Sequence, residues 1–385
     1  MAFASPAAEM TRRLIAFDTT SRNSNLDLIE FAAEMLRGLG ARIRLTHDDA
    51  GKKANLFATI GPEGGGGYVL SGHSDVVPVD GQEWSGNPFA ADVREGKLFG
   101  RGACDMKGFL GTALALAPEF ARLTLKRPIH FAFSYDEEVG CVGVRRLLDD
   151  LARERIKPAL AVIGEPTLMR VVGAHKAGAV IETIAKGREG HSSDPRRGAN
   201  AVMMAGEFVA ALTELGEELA RERDSHFDPP YTTLQANMIQ GGTAVNVLAR
   251  EAKVTWEYRA LPDRDIAAIL SAVETRAAAI AARYREGCEG AAFATRAKAS
   301  YPGLSRDEKS PAVQLACALS GDNEVRAISY GTEAGLFQKA GIPAVVCGPG
   351  SIEQAHRADE FVALEQLDAC AAFLRRVAAR AAESV

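Results

Sequence analysis

The sequence predicts an α/β domain interrupted by a smaller α+β insertion, and three observations carry that expectation. Residues 5 to about 165 alternate between helical and strand patterns. The rhythm changes to β-α-β-β-α-β after Gly178, and the helix–strand alternation resumes at Ser310. The outer domain is therefore expected over 1–178 and 302–385, and the insertion over 179–301. A chain of 385 residues has room for both.

Taken in order, helices are expected at 6–16 and 25–39, the second stopped by Gly38 and Gly40. Strand-forming runs follow at 42–46, 55–60 and 68–71. The last two are separated by a Gly-Pro-Glu-Gly-Gly-Gly-Gly turn (61–67) that lacks the Gly-Lys-Ser/Thr ending of a phosphate loop. A helix at 107–123, a strand at 129–135, a helix at 141–153 and a strand at 159–163 complete the first part. The insertion reads as strand 179–187, helix 199–222, strands 232–240 and 252–259, helix 264–285 and strand 292–300. The chain then runs through helix 310–319, strand 324–329, helix 333–339, strand 344–347 and helix 364–382.

Composition narrows the function classes. With 47% hydrophobic and 25% charged residues and a mean hydropathy near zero, the chain can bury a full core without disulfides or a structural metal. A net charge of −5, with basic residues scattered, argues against nucleic-acid and membrane-surface partners. Six cysteines far apart, with no Cys-x-x-Cys pair, suit a reducing compartment and exclude a zinc ribbon. No signal-peptide pattern and no run of about 18 apolar residues is present, so a cytoplasmic location is expected.

The metal-capable residues fall at strand ends. The run 68–71 leads into Gly72-His73-Ser74-Asp75, 131–135 into Asp136-Glu137-Glu138, 160–163 into Gly164-Glu165, and 345–347 into a short loop ending at His356. Asp105 stands at the entrance of the helix that starts near Lys107. In an open α/β sheet such ends share one edge, where ligands bind. Imidazoles and several carboxylates at one edge need a positive partner, and nitrogen and oxygen donors without thiolate suit zinc, with cobalt or manganese as alternatives. Five ligands exceed one tetrahedral ion and suit two ions sharing a carboxylate, an arrangement that activates water against an amide.

At these residues the chain resembles the dinuclear zinc peptidase and deacylase family. The matching segments are SGHSDVVPVD (71–80), W-S-x-x-PF (84–89), GRGACDMKG (100–108), SYDEEVG (134–140), IGEPT (163–167), KGREGHSSDPRRGANA (186–201), GGTAVNV (241–247) and CGPGSIEQAHRADEFV (347–362). The resemblance implies a zinc-aminopeptidase-like mixed sheet sandwiched by helices, with a ferredoxin-like insertion serving as lid and dimerisation domain, and hence a homodimer. It implies that His73, Asp105 and Glu165 hold one ion and Asp105, Glu138 and His356 the other, with Asp105 bridging. Asp75 would orient His73, and Glu137 would be the general base for the bridging water. His191 would reach the partner subunit's site to stabilise the oxyanion, Asn246 would contact substrate, and Arg259 would grip the substrate α-carboxylate. Arg259 departs from the family pattern, which has Asp two residues before the arginine and Pro directly after it.

Within the family, Tyr-Gly-Thr-Glu-Ala-Gly (330–335) and the loop 348–356 resemble the group that deacetylates N2-acetyl-L-ornithine in arginine biosynthesis. Succinyl-diaminopimelate desuccinylases tend to have Gly-Thr-Ser-Asp in the first place, and they remain the alternative, with other N-acyl-amino-acid amidohydrolases and dipeptidases. Thr332 and Glu333 are then expected on the substrate side, with Glu333 or Glu353 pairing with a side-chain ammonium. An acid serving only the N-terminus of a helix fits Glu333 equally well.

Overall fold

Strand Tyr68–His73 is buried at every position, because it pairs in parallel with Ile129–Ser134 on one side and Leu160–Pro166 on the other. An uninterrupted apolar run is what a strand covered on both faces requires. Ala344–Gly348 joins the same parallel set beyond Leu160–Pro166. Four strands therefore end at one edge, which fixes where the residues after them can meet.

The computed structural model describes residues 5–63, 66–286 and 288–383, so Gly64 and Gly65 of the expected glycine turn lie outside the described residues. The chain divides into two units. The larger takes the chain up to Ala174, then Leu304–Ala327 and the segment from Thr332 onward; the smaller takes His175–Gly303 and Ile328–Gly331.

In the larger unit the sheet has eight strands. Their order is Arg42–His47, Ala54–Ile60, Ile129–Ser134, Tyr68–His73, Leu160–Pro166, Ala344–Gly348, Val172–His175 and Arg326–Ile328. The antiparallel pairs lie toward the two ends of this order, which makes the sheet mixed. One face sends Leu56, Leu70, Phe131, Phe133 and Val162 into a core shared with helices Leu26–Gly38, Lys107–Arg122 and Leu364–Ala382. The opposite face meets helices Val142–Arg153 and Ala334–Lys339. This is the helix-sandwiched mixed sheet expected. A close approach explains Gly164: a Cβ there would fall inside the ring of Phe109, so the strand bearing Glu165 sits tight on helix Lys107–Arg122.

Three short strands, absent from the sequence reading, form a small second sheet: Asp92–Arg94, Lys97–Phe99 and Phe361–Ala363. Phe361 pairs with Phe99, which holds the segment after His356 beside the segment leading to Asp105.

The smaller unit is an antiparallel sheet in the order Thr233–Gly241, Glu251–Ala260, Ala177–Lys186, Ala292–Tyr301, with helices Ala201–Leu219 and Ile266–Tyr284. Along Glu251–Ala260 every second residue is buried, the signature of a sheet covered on one face. Trp256 and Phe208 lie at the heart of that core, and the Trp256 indole donates to the Thr183 hydroxyl at 2.9 Å. Among the described residues no helix is long and apolar enough to cross a membrane.

Candidate metal centre

His73, the last residue of its strand, is 1% exposed. Its Nε2 lies 2.9 Å from Asp105 Oδ1 and 3.7 Å from Glu165 Oε1. His356 approaches from its loop, with Nε2 3.3 Å from Asp105 Oδ2 and 3.2 Å from Glu138 Oε2. Asp105 thus offers one oxygen to each imidazole. Ligand atoms of His73, Asp105 and Glu138 all lie within 4.8 Å of one another, as do those of His73, Glu137 and Glu165. The structure brings together all five residues expected to hold metal, and Glu137 with them.

The charges at this centre do not balance. Burial and the neighbouring Asp105 carboxylate push Glu138 and Glu165 above the ordinary glutamate range, Glu165 well above it. Burial, Glu138, Glu333 and Asp105 raise Glu137 to about 8. Burial works against Asp105 too, but the imidazoles of His356 and His73 hold it well below the usual carboxylate range. Burial alone would lower His73, yet Asp105 and Glu165 raise it well above its ordinary value. Hydrogen bonds to Asp105 and Glu138 carry His356 to about 10. Protons on imidazoles and carboxylates stand where divalent cations fit. The donors are imidazole nitrogen and carboxylate oxygen, buried, converging and short of positive charge, as a divalent-metal site demands.

Other acids grip backbone. Asp75 meets the His73 ring, its carbonyl oxygen 2.9 Å and its carboxylate Oδ1 3.7 Å from His73 Nδ1. The ring partner is the carbonyl. The carboxylate instead accepts the backbone N–H groups of Glu137 (3.1 Å) and Glu138 (3.4 Å) and the Ser21 hydroxyl (2.7 Å). Asp75 therefore positions the two glutamates. The sequence reading missed Cys141, whose thiol donates to Glu137 Oε1 at 3.3 Å from the start of helix Val142–Arg153. Burial pushes that thiol well above its ordinary value, so it stays a donor. The visible signal was its place directly after the 134–140 segment.

Glu333 is held within the fold. It is 1% exposed and accepts hydrogen bonds from the hydroxyls of Ser134 and Ser71, residues of the strands that carry His73 and lead to Glu137. Its oxygens are engaged inside the fold, and its side chain makes no capping hydrogen bond to the following helix. Burial raises it to about 7. Thr332 is fully buried, its hydroxyl accepting Ala334 N–H at 3.0 Å. Glu353, by contrast, is exposed in the His356 loop.

In the smaller unit, His191 and Val247 form an isolated antiparallel bridge, and Asn246 carbonyl accepts Ser192 N–H at 3.1 Å. His191 and Asn246 are thus neighbours on two exposed loops, with His191 Nδ1 2.8 Å from Ser193 Oγ. Arg259 is held by Glu257 at 3.0 Å and by the Tyr301 hydroxyl.

The pattern of peptidase family M20/M25/M40 matches residues 69–380. The chain belongs to this family. An acetylornithine deacetylase of Myxococcus xanthus is 36% identical over 384 residues, covering 97% of each chain. Among solved structures, a metallo-carboxypeptidase of the family from Sulfolobus solfataricus superposes with a TM-score of 0.79 at 16% identity, over 98% of this chain and 99% of that one. A Bacillus subtilis dinuclear metal-binding peptidase of the family gives 0.65 at 19% identity, over 98% of each. This member of the M20/M25/M40 family is a metal-dependent hydrolase of amides.

The raised groups give a pH signature. Between the ordinary glutamate value and about 8, folded Glu137 binds a proton that the unfolded chain has released, and His356 does the same between 6.5 and about 10. Both contributions have one sign: stability of the metal-free centre falls as pH rises through this window. A divalent cation replaces those protons, so its stabilisation grows with pH. The melting temperature gap between zinc-loaded and chelated protein is expected to widen from pH 6 to pH 8, groups elsewhere cancelling in the difference. A constant gap in differential scanning calorimetry would contradict the assignment.

Proposed function

We propose that the protein removes the acetyl group from N2-acetyl-L-ornithine, releasing L-ornithine and acetate, with two zinc ions as cofactor. The observation that carries the substrate is the likeness to an acetylornithine deacetylase over nearly the whole of both chains. His73, Asp105 and Glu165 would hold one ion and Asp105, Glu138 and His356 the other. When bound, such ions supply Lewis acidity for the scissile carbonyl and lower the pKa of an attacking water.

Glu137 is the general base of this proposal. It takes the proton of the attacking water and returns it to the leaving nitrogen. Cys141 occupies Oε1 of its carboxylate, leaving the other oxygen to work, while Asp75 pins its backbone. Glu137→Gln is expected to lower kcat by about 10²–10⁴-fold while zinc stoichiometry stays that of wild type. A mild loss with intact metal would move the base elsewhere.

For the ornithine side chain, Glu353 is the better placed of the two acids weighed, exposed three residues before His356. The deciving comparison is hydrolysis of N-acetyl-L-ornithine and N-succinyl-diaminopimelate, on zinc-loaded and chelated protein. Zinc-dependent ornithine release with little desuccinylation is expected, with a raised KM for acetylornithine in Glu353→Gln. A preference for the succinyl substrate would transfer the enzyme to that reaction. Activity surviving full metal removal would end the two-ion reading.

The proposal includes a homodimer through the smaller unit. Its support is the exposure of Met203, Met238 and Ile239, 58%, 54% and 53% accessible, in helix Ala201–Leu219 and strand Thr233–Gly241. Light scattering should give twice the chain mass, and Met238→Glu with Ile239→Lys should return it to one.

A further inference from the structure

Arg101 and Glu360 form an ion pair at 2.7 Å with both side chains 1% exposed. A buried pair of this kind is retained at a desolvation cost that further hydrogen bonds offset. Here those bonds go to two loops, and of the pair's polar atoms Arg101 Nε alone is left without a partner. Glu360 accepts the N–H groups of Gly102 (3.0 Å), Cys104 (2.8 Å) and Asp105 (3.0 Å), fixing the turn that ends in Asp105. Arg101 reaches the other way. Its Nη1 donates to the Arg357 carbonyl at 3.3 Å, and its Nη2 to Gln82 Oε1 at 2.5 Å. Gln82 Nε2 in turn donates to the carbonyl of His356 at 2.9 Å. The Trp84 indole donates to the same Gln82 oxygen at 3.2 Å, and its ring lies under the Arg101 guanidinium.

We propose that Gln82, Arg101 and Glu360 are positioning residues that clamp the His356 loop to the Asp105 turn and thereby set the affinity of the outer metal ion, the one assigned to Asp105, Glu138 and His356. This rests on the two-ion reading above. The two sites differ in what holds their ligands. His73 and Glu165 project from adjacent parallel strands and are 1% and 4% exposed. His356 stands in an irregular loop, its side chain 53% exposed and its φ at +61°, in the left-handed region. Gln82 is the side chain that grips this residue's own backbone. Its amide is bifunctional: the oxygen takes Arg101, and the NH2 fixes the carbonyl from which the imidazole swings toward Asp105 and Glu138. Loosening it leaves the strand-borne ligands untouched and frees the outer one.

The test counts and weighs ions rather than turnover. Zinc is titrated against a chromophoric chelator into wild type, Gln82→Ala and Gln82→Glu, and the chelated forms are melted in parallel. Gln82→Glu keeps an acceptor for Arg101 and loses the donor to His356. Wild type is expected to bind two ions. Both variants should keep the inner affinity and lose about 10–100-fold in outer affinity, the usual cost of an outer-shell partner, and Gln82→Glu, which leaves Arg101 paired, should keep the melting temperature of the chelated protein. Cobalt-loaded variants should show absorption changes confined to the second equivalent. Unchanged outer affinity, or equal weakening of both ions, would overturn the clamp while leaving the two-ion centre standing. Fewer than two ions on wild type would overturn the two-ion reading, and the clamp with it.

Discussion

An excess of buried negative charge at one edge of one sheet is the constraint on which the rest depends. Four parallel strands end together, and from their ends come His73, Glu137, Glu138, Glu165 and, a loop later, His356. Asp105 enters between the two imidazoles. Without cations, burial and mutual repulsion drive Glu137, Glu138 and Glu165 toward their protonated forms. Such a centre is tolerable only because a divalent ion can take the place of the protons. Folding, metal affinity and catalysis are thereby coupled through the same side chains.

The acids near the centre divide into two kinds. Asp105, Glu138 and Glu165 turn their carboxylates toward the imidazoles, whereas Asp75 and Glu360 turn theirs onto backbone N–H groups. The second kind costs less to bury, since each oxygen is matched by fixed donors. It also does what a metal ligand cannot, which is to hold the loops on which ligands stand. Asp75 secures the Glu137–Glu138 peptides; Glu360 secures the turn before Asp105. Pairs of acids with divided labour recur around the site: one meets the charge and the other the chain.

Much of this was legible in the sequence. The long periodic segments gave the large mixed sheet, the helices on its faces and the β-α-β-β-α-β order of the smaller unit, because hydrophobic period is set locally. The ligand cluster was legible for the same reason: residues that follow parallel strands must meet at one edge. What escaped was short or tertiary. Strands Asp92–Arg94, Lys97–Phe99 and Phe361–Ala363 have three residues each, too few for alternation to register, and they exist because they pair with one another. Gln82 carries no pattern, and Cys141 only its place after the 134–140 segment; their importance lies in distances of 2.9 Å to His356 and 3.3 Å to Glu137 that only folding creates.

Glu333 shows where sequence reasoning reaches its limit. An acid beside a substrate-like segment invited pairing with an ammonium, and position along the chain could not say which way its side chain points. In the fold it turns inward, onto Ser71 and Ser134, at the face of the sheet opposite the main core. The serines themselves are the missing clue. Strand residues alternate in direction, so Leu70 and Phe133 face the apolar core while Ser71 and Ser134 face away from it. Two hydroxyls on the same face of adjacent buried strands, two residues apart in register, need an acceptor, since an unmatched buried hydroxyl is costly. Glu333, arriving at the start of helix Ala334–Lys339, is that acceptor. Read as a question of where two buried hydroxyls find their partner, rather than of what a lone acid could bind, the pattern leads to the interior.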